Sequence, residues 1–307
     1  MTTKVFIDGA VGTTGLEILE RLSRRSEFEL LLLDEDSRKL AAARRDAFHG
    51  ADFAILCLPD DAAREAVALA EGSAVRIIDA STAHRVAAGW TYGFPEVTGR
   101  EDVAGAQRVS NPGCYSTGFI ALLAPLIRKG LLPSDWPYTC HAVSGYSGGG
   151  KAMIARFEQD GDIAYRDYAL GLGHKHMPEM QAQCGLAHPP IFAPAVVPAH
   201  RGMIVEVPLH LGQMTRAAPV DGLRECLEDF YAGSSVVSVR HEAPDELLLR
   251  ASMEPCDRID LHIFGAKDGR QARLVAVLDN LGKGASGAAV QNLNLMAGLD
   301  ETAGLRL

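Results

Sequence analysis

The sequence predicts an α/β protein: a doubly wound parallel sheet, followed by an α+β domain whose sheet is mainly antiparallel. Short apolar runs alternate with amphipathic segments over residues 4–79, and a glycine-rich turn follows the first run. Strands that carry helices on both faces are continuously apolar, so this order predicts a parallel sheet. After residue 200 the apolar segments lean toward alternation, which is typical of a half-exposed antiparallel sheet.

The first domain is predicted to consist of β-α-β units. The predicted strands are 4–8, 28–33, 53–59 and 74–79, and the predicted helices are 13–25 and 60–72. The first helix places Leu16, Leu19 and Leu22 on one face, and the second ends at Gly72. Helical crossovers of this kind join parallel strands, which supports a doubly wound domain.

The second domain is predicted to contain strands 203–210, 260–267 and 272–280 and an amphipathic helix at 220–233. A last helix, 286–298, follows the glycine-rich link "GKGASG", and we expect it to pack back on the first domain. The predicted boundaries are therefore 1–113 plus the terminal segment 285–307 for the nucleotide-binding domain, and 114–284 for a catalytic and dimerisation domain.

Composition excludes several classes of protein. The net charge is −9 and there is no basic run, which argues against a nucleic-acid partner. No apolar run approaches the roughly 18 residues that span a bilayer, so no membrane association is predicted. The six cysteines have no paired spacing, which predicts reduced thiols in the cytoplasm rather than disulfides or a zinc knuckle.

The turn "DGAVGTTG" carries Gly9, Gly12 and Gly15, directly after the first strand and at the start of the first helix. Glycines let the backbone approach a pyrophosphate, whose charge the helix N-terminus favours. The spacing GxxGxxG departs from the commoner GxGxxG, and an ordinary strand-to-helix turn is the alternative. With Thr13 and Thr14 at the helix start, this turn predicts a dinucleotide site in a Rossmann-like domain.

The residues after the second strand leave the choice of dinucleotide open. Asp34 is placed to bond an adenine ribose, which favours NAD. Ser37, Arg38 and Lys39 are placed to bind the 2′-phosphate of NADP. A solvated charged turn is the alternative for each of these side chains.

Cys114 lies between the turn "NPG" and the apolar run "STGFIALLAPLI", so we expect it at the N-terminus of a helix. A helix N-terminus favours the reactive thiolate, and first-turn N–H groups suit an oxyanion formed on a substrate carbonyl. Cys57, Cys140 and Cys226 lie inside apolar patterns and are predicted to be structural. Its position alone does not decide whether Cys114 is a structural residue of the core or a nucleophile.

The segment "GLGHKHMPEM" offers partners for a thiol. His174 and His176 would point to one side of an extended segment, and Pro178 would open a helix with Glu179 in its first turn. A histidine oriented by a carboxylate activates a thiol nucleophile. Metal binding by the two histidines and Glu179 is the competing interpretation, but no fourth ligand is evident, and we predict no metal.

Two further stretches carry polar groups in unusual surroundings. "AVSGYSGGGKA", at 142–152, is expected to end a strand in a flexible glycine loop that bears Ser144 and Lys151. "VVPAHRGM" places Arg201 between a turn and a strand. Lys151 and Arg201 are candidate clamps for a phosphate or carboxylate, although each taken singly is an ordinary surface charge.

These motifs together resemble the short form of the N-acetyl-γ-glutamyl-phosphate reductases. The stretches that carry the resemblance are "GAVGTTG", "AILCLPDDAAREAV", "SNPGCYSTG", "AVSGYSGGGK", "GHKHMPE", "VPAHRGM" and "DNLGKGASGAAVQNLNLM". They run from residue 4 to about 298. This family belongs with the phosphorylating semialdehyde dehydrogenases, which include aspartate-semialdehyde dehydrogenase.

The resemblance implies an oxidoreductase of arginine biosynthesis that reduces N-acetyl-glutamyl 5-phosphate to the 5-semialdehyde with NADPH, through a thioester on a cysteine. Its substrates would be a small acyl phosphate and inorganic phosphate, and we expect a homo-oligomer, either dimer or tetramer. A sibling enzyme acting on another acyl phosphate, such as aspartyl phosphate, is one alternative. A non-catalytic NADP-binding redox sensor is another.

Carried over by motif, the family's nucleophile falls on Cys114 and its base on His176, with His174 and Glu179 in support. The substrate contacts implied or expected are Asn111, Ser144, Lys151, Arg201 and Gly202. Asp279 and Asn280 are expected beside the nicotinamide. The acidic pair Asp34 and Glu35 is unusual for an NADP enzyme.

Overall fold

The computed structural model describes residues 2–242 and 244–307 of the chain. Its internal contacts form two compact units, one of residues up to Gly113 with Ala285–Arg306, the other of Cys114–Gly284 with Leu307. Each unit is built around one sheet. Across the described ranges, every helix is too short or too polar to cross a membrane.

Strands and helices alternate along the first unit and mix in the second. The strands are β1 Thr3–Asp8, β2 Phe28–Leu31, β3 Phe53–Leu56, β4 Arg76–Asp79, β5 Thr91–Tyr92, β6 Arg108–Ser110, β7 Thr139–Gly145, β8 Arg166–Asp167, β9 Ile191–Val197, β10 Met203–Leu209, β11 Val237–Val239, β12 Ile259–Gly265 and β13 Ala272–Leu278. The helices are α1 Thr13–Leu22, α2 Ala41–Gly50, α3 Asp60–Leu69, α4 Pro95–Thr98, α5 Arg100–Gly105, α6 Cys114–Arg128, α7 Gly150–Gln159, α8 Met177–Cys184, α9 Val220–Phe230 and α10 Gly287–Met296.

The sheet of the first unit has the predicted parallel arrangement. Its strand order is β2-β1-β3-β4-β6-β5, and each neighbouring pair is parallel. The order reverses next to β1, where the chain steps to β2 on one side and to β3 on the other. The first domain is therefore doubly wound, as predicted. The strands are shorter than predicted because the runs at 28–33 and 53–59 leave the sheet at Leu31 and Leu56.

Successive residues of the central strands enter two separate cores, one on each face of the sheet. One core joins Val5, Ile7 and Ile55 to Ile18 and Leu22 of α1 and to Val290 and Leu293 of α10. The other joins Phe6, Ala54 and Leu56 to Phe48 of α2 and to Ala63 and Ala66 of α3. Burial on both faces accounts for the continuous apolar runs in the sequence.

The sheet of the second unit is mixed and mainly antiparallel, as predicted. Its order is β11-β12-β13-β10-β7-β9-β8, with parallel pairs at β11–β12 and β7–β9 and antiparallel pairs elsewhere in the described part of the sheet. Helix α6 packs on one face at Gly118, where an added Cβ would lie 2.8 Å from the Val205 side chain. This close approach brings the buried helix onto β10 and β13.

The prediction of a flexible glycine loop at 142–152 is wrong. Strand β7 runs to Gly145, a 3-10 turn covers Tyr146–Gly149, and α7 follows immediately. Two contacts order this stretch: the Tyr146 ring stacks on Phe157 at 5.3 Å, and a Cβ at Gly149 would lie 2.5 Å from Met153. The glycines allow close packing here rather than mobility.

Candidate active site

Cys114 is the first residue of α6 and is partly exposed. The rest of the helix is apolar and almost wholly buried, so its first turn has a fixed position at the edge of the second unit's core. Gly284 passes directly over the cysteine, and a Cβ there would lie 2.8 Å from the Cys114 Cβ. The structure therefore presents this thiol at a helix N-terminus, as the sequence predicted for its local setting.

His174 and His176 lie together, but not in the extended segment that was predicted. His176 has φ −89° and ψ −12° and directly precedes α8, whose second residue is Pro178. The two imidazole rings are perpendicular with centroids 4.7 Å apart, and His176 is buried. The proline stabilises the helix start, and this start imposes helical geometry on His176.

Side chains of α6 join the histidines to the cysteine's helix. The Ser116 hydroxyl donates to the His176 carbonyl at 3.4 Å, and the Tyr115 ring lies 5.9 Å from each imidazole ring. Glu179, in the first turn of α8, is also buried. Tyr115 and Ser116, the two residues that directly follow Cys114, therefore contact the histidine segment.

Two tyrosines in this region were missed by the sequence analysis. The Tyr168 hydroxyl lies 3.3 Å from Nε2 of His174, and Tyr115 donates to the Ala195 carbonyl at 3.0 Å. Burial raises the pKa of Tyr168 to about 12, and the nearby Cys114 adds to the rise. Burial likewise raises the pKa of Tyr115. Both phenols therefore stay neutral hydrogen-bonding groups near the thiol. No local sequence pattern predicts this position for either tyrosine.

A second polar group surrounds the buried carboxylate of Asp279. Oδ2 of Asp279 lies 2.9 Å from Nη1 of Arg201 and accepts from the Cys256 N–H at 3.3 Å, while Oδ1 accepts from the Leu281 N–H at 2.9 Å. The Asp279 carbonyl accepts from the Gly284 N–H at 3.0 Å. Arg201 and Asp279 are thus an ion pair, and the main chain of Asp279 also holds the segment that covers Cys114.

Asn280 holds the same region from the other side. Its Oδ1 accepts from the Gly202 N–H at 2.8 Å, and its Nδ2 donates to the Ser147 hydroxyl at 2.9 Å. Gly202 has φ +98°, a left-handed conformation that favours glycine. Asp279 and Asn280 were predicted to lie beside the nicotinamide, and Arg201 and Gly202 were predicted to contact the substrate. The structure brings these two pairs into contact with each other.

The remaining predicted substrate residues are dispersed. The buried Ser144 hydroxyl donates to the Gly145 carbonyl at 3.0 Å, and Lys151 is exposed in the first turn of α7. Asn111 belongs to the first unit, where its Nδ2 donates to the Ala285 carbonyl at 2.9 Å and its Oδ1 accepts from Asn292 at 3.0 Å. These bonds hold the turn that precedes Cys114.

The glycine turn of the first unit fits a dinucleotide. Gly9 has φ +88°, and a Cβ there would lie 2.4 Å from the Cys57 carbonyl oxygen. A Cβ at Gly15 would lie 2.4 Å from the Gly9 carbonyl oxygen. Gly12 precedes the first residues of α1, Thr13 and Thr14, so the helix N-terminus opens directly from the turn. A side chain at Gly9 or Gly15 would disrupt this cradle.

The charged turn after β2 is internally paired. Hydrogen bonds from the Ser37 hydroxyl and N–H lower the pKa of Asp34. Arg38 lies 2.9 Å from the Glu35 carboxylate, and Lys39 is exposed. Of the three residues predicted to bind a 2′-phosphate, Ser37 is hydrogen-bonded to Asp34 and Arg38 is paired with Glu35.

Four of the other cysteines lie in surroundings that disfavour ionisation. Burial raises the pKa of Cys57 to about 12, and it also raises the pKa values of Cys140, Cys184 and Cys226.

Among residues 2–242 and 244–307, no three His, Cys, Asp or Glu side chains converge as metal ligands.

Comparison with known proteins agrees with this arrangement of units. Residues 4–106 match the family model of the semialdehyde dehydrogenase NAD-binding domain, and residues 114–280 match that of the semialdehyde dehydrogenase dimerisation domain. The chain is 48% identical to N-acetyl-γ-glutamyl-phosphate reductase 2 of Nostoc, over 98% of this chain and 99% of that protein. It is also 48% identical to the N-acetyl-γ-glutamyl-phosphate reductase of Rhizobium meliloti, over 96% and 99%.

Solved structures share the fold at lower sequence identity. Aspartate semialdehyde dehydrogenase II of Vibrio cholerae superimposes with a TM-score of 0.75 at 16% identity, over 97% of this chain and 99% of that chain. The aspartate semialdehyde dehydrogenase of Candida albicans, solved with NADP, gives 0.63 at 15% identity, over 97% and 99%. These similarities concern the fold.

The buried ion pair gives a prediction about stability. Arg201→Met would leave the Asp279 carboxylate buried without its guanidinium, so we expect the free energy of unfolding to fall by about 3–5 kcal/mol. Urea unfolding followed through Trp136, the tryptophan of the second unit, measures the loss. The control is Arg64→Met, whose ion pair with Asp61 is exposed and should contribute below about 1 kcal/mol. Equal losses in the two variants would refute the structural role of the Arg201 pair.

Proposed function

The chain belongs to the N-acetyl-γ-glutamyl-phosphate reductase family of semialdehyde dehydrogenases, and we propose that it reduces N-acetyl-γ-glutamyl phosphate to N-acetyl-glutamate semialdehyde. This reaction is a step of arginine biosynthesis, and we assign it to the cytoplasm. The observation that carries the proposal is the partly exposed Cys114 at the N-terminus of a buried helix, whose next two residues contact a histidine pair.

We assign the nucleophile to Cys114. Its thiolate sulfur forms a bond to the acyl carbon, the bond from that carbon to the phosphate oxygen breaks, and a thioester and inorganic phosphate result. The thiolate is stabilised by the N-terminus of α6, whose first-turn N–H groups also suit the tetrahedral oxyanion. A serine would be a poor substitute, because its alkoxide is scarce near neutral pH.

We assign the base to His176. It takes the proton of the Cys114 thiol before attack and gives a proton back when the thiohemiacetal breaks down to the aldehyde and the thiol. Buried Glu179 lies in the first turn of the helix that His176 opens, and we propose it as a support for the imidazole. Histidine suits this work because its ordinary pKa is near neutral pH.

Binding of an anionic substrate requires local cations, because the chain as a whole has a net charge of −9. We propose Lys151 for the phosphate, because its ammonium is exposed, whereas the charge of Arg201 is balanced by Asp279. Arg201 and Gly202 are proposed to form the opposite wall of the substrate site, with Ser144 beneath it. Asn111 supports the turn before Cys114 through its bonds within the first unit.

The nicotinamide cofactor is proposed to be NADPH, which when bound supplies the hydride that reduces the thioester. Gly9, Gly12, Thr13, Thr14 and Gly15 would hold its pyrophosphate. Its 2′-phosphate is proposed to bind Ser37, Arg38 and Lys39, and its nicotinamide is proposed to lie near Asp279 and Asn280.

The test of the function is phosphate-dependent reduction of NADP with N-acetyl-glutamate semialdehyde. We expect activity in the native protein and a loss of roughly 10³-fold or more in Cys114→Ala, because the covalent route is removed. Cys226→Ala is the matched control and should keep native activity, since that thiol is on α9. Full activity in Cys114→Ala would refute the mechanism.

Substrate and class are tested in the same assay. Preference for aspartate semialdehyde over N-acetyl-glutamate semialdehyde would identify a sibling enzyme instead. Binding of NADP without turnover of either aldehyde would favour a sensor.

Cofactor choice is a separate prediction. We expect kcat/KM for NADPH to exceed that for NADH at least about tenfold, since a charge-assisted hydrogen bond from Arg38 is gained with the 2′-phosphate. Arg38→Ala should lower kcat/KM about tenfold for NADPH and leave that for NADH within about twofold. Arg45→Ala, an exposed arginine of α2, is the control. Equal use of NADH and NADPH by the native enzyme would contradict the assignment.

We also propose a homo-oligomer, either dimer or tetramer, assembled through the sheet of the second unit. Val143, Ile204 and Val277 are neighbours across β7, β10 and β13 and are only half-buried, on the face opposite to the one that α6 covers. Light scattering should give at least twice the 32.8 kDa chain mass. Ile204→Asp should lower it, whereas Leu40→Asp, in the first unit, should not. A native protein of single-chain mass would end the proposal.

A further inference from the structure

A chain of hydrogen bonds runs from the backbone of His176 through the His174 imidazole to the Tyr168 hydroxyl. The His176 N–H donates to Nδ1 of His174 at 3.1 Å. Nε2 of His174 lies 3.3 Å from the Tyr168 hydroxyl.

The backbone end of this chain sets the direction of its bonds. A backbone N–H only donates, whereas a neutral imidazole has one donor and one acceptor nitrogen. Nδ1 of His174 is therefore the acceptor, and Nε2 carries the proton, which it donates to the Tyr168 hydroxyl.

Packing holds the same arrangement. Within the described residues, the imidazole of His174 makes edge contacts at centroid distances of 4.7–5.9 Å with the rings of His176, Phe192, Tyr168 and Tyr115. The Arg166 guanidinium lies 4.7 Å from the centre of the Tyr168 ring, a cation–π contact. These ring contacts favour a single orientation of the His174 imidazole.

We propose that His174 and Tyr168 are positioning residues: the chain holds His174 as its Nε2-protonated tautomer, which leaves His176 as the base for Cys114. To take a proton at Nδ1, His174 would have to lose the bond from the His176 N–H. That bond and the bond from Ser116 to the His176 carbonyl instead orient the backbone that carries the base. This inference rests on the proposed function and assigns the two histidines different tasks.

The tautomer is tested without any activity. In ¹⁵N-labelled protein at pH 8, where histidine of ordinary pKa is neutral, two-bond proton–nitrogen spectra separate the two neutral tautomers. His174→Asn identifies the His174 signals, which we expect to show a protonated Nε2. Tyr168→Phe removes the acceptor and should shift these signals toward a tautomer mixture. A protonated Nδ1 in the native protein, or no change in Tyr168→Phe, would overturn the proposal.

Kinetics test the division of tasks. Tyr168→Phe should lower kcat about tenfold, the effect of one hydrogen bond, and leave KM within about twofold. His174→Asn keeps an acceptor near the His176 N–H and should retain about a tenth of kcat, whereas His176→Asn should lose about 10²–10⁴-fold. Tyr165→Phe, on an exposed ring three residues away, is the control and should match the native enzyme.

The two tests separate this inference from the proposed function. Equal losses in His174→Asn and His176→Asn would make His174 a base and overturn the proposal. If the native protein turned over no semialdehyde, the function would fail, while the spectra would still report whether the hydrogen-bond chain orders His174.

Discussion

The site depends on the buried carboxylate of Asp279. A charge removed from water is tolerated only when it is paired and its oxygens are bonded, and both oxygens of Asp279 are. The same residue's carbonyl accepts from Gly284, which passes close to Cys114. One residue, through its side chain and its main chain, therefore links Arg201, the end of β13 and the backbone over the thiol.

Helix α6 supplies the second constraint. A helix that is apolar on all sides is stable only when it is buried, and α6 packs on β10 and β13 and against α8 and α9. Its first residue, Cys114, is partly exposed at the end of this buried helix. Gly118 brings the helix close to the sheet, and Ser116 and Tyr115 bring the histidine segment to its N-terminus. Packing along the helix thereby sets the position of the thiol at its end.

Much of the fold followed from local patterns, and the site followed only in part. Continuous apolar runs predicted the parallel sheet correctly, because burial on both faces leaves that mark on each strand. The loop predicted at 142–152 is ordered by Phe157 and Met153, which act from further along the chain. The extended geometry predicted at His176 was wrong because the start of α8 imposes a turn. The spacing of the two histidines does not reveal whether the extended pattern or the start of α8 determines the backbone at His176.

Longer-range pairings were beyond the sequence for a different reason. Tyr168 meets His174 and Tyr115 through edge strand β8, and the β8–β9 pairing that positions it leaves no periodic signal in a two-residue strand. Asp279 and Asn280 were singled out by motif, yet the partners they have in the second unit, Arg201 and Gly202, come from 78 residues earlier. Motifs located the polar residues, whereas their partners depend on how the strands are ordered in the sheet.

Placement distinguishes Cys114 from three of the other cysteines. A thiol in an apolar interior resists ionisation, and burial raises the pKa values of Cys57, Cys140 and Cys184 accordingly. Cys114 has the same side chain but occupies the one setting among these where a helix N-terminus and partial exposure coincide. Burial thus disfavours thiolate formation at these three thiols, whereas a helix N-terminus is a setting that favours it. In the proposed mechanism, selectivity for Cys114 requires no chemistry beyond this difference in solvation and local field.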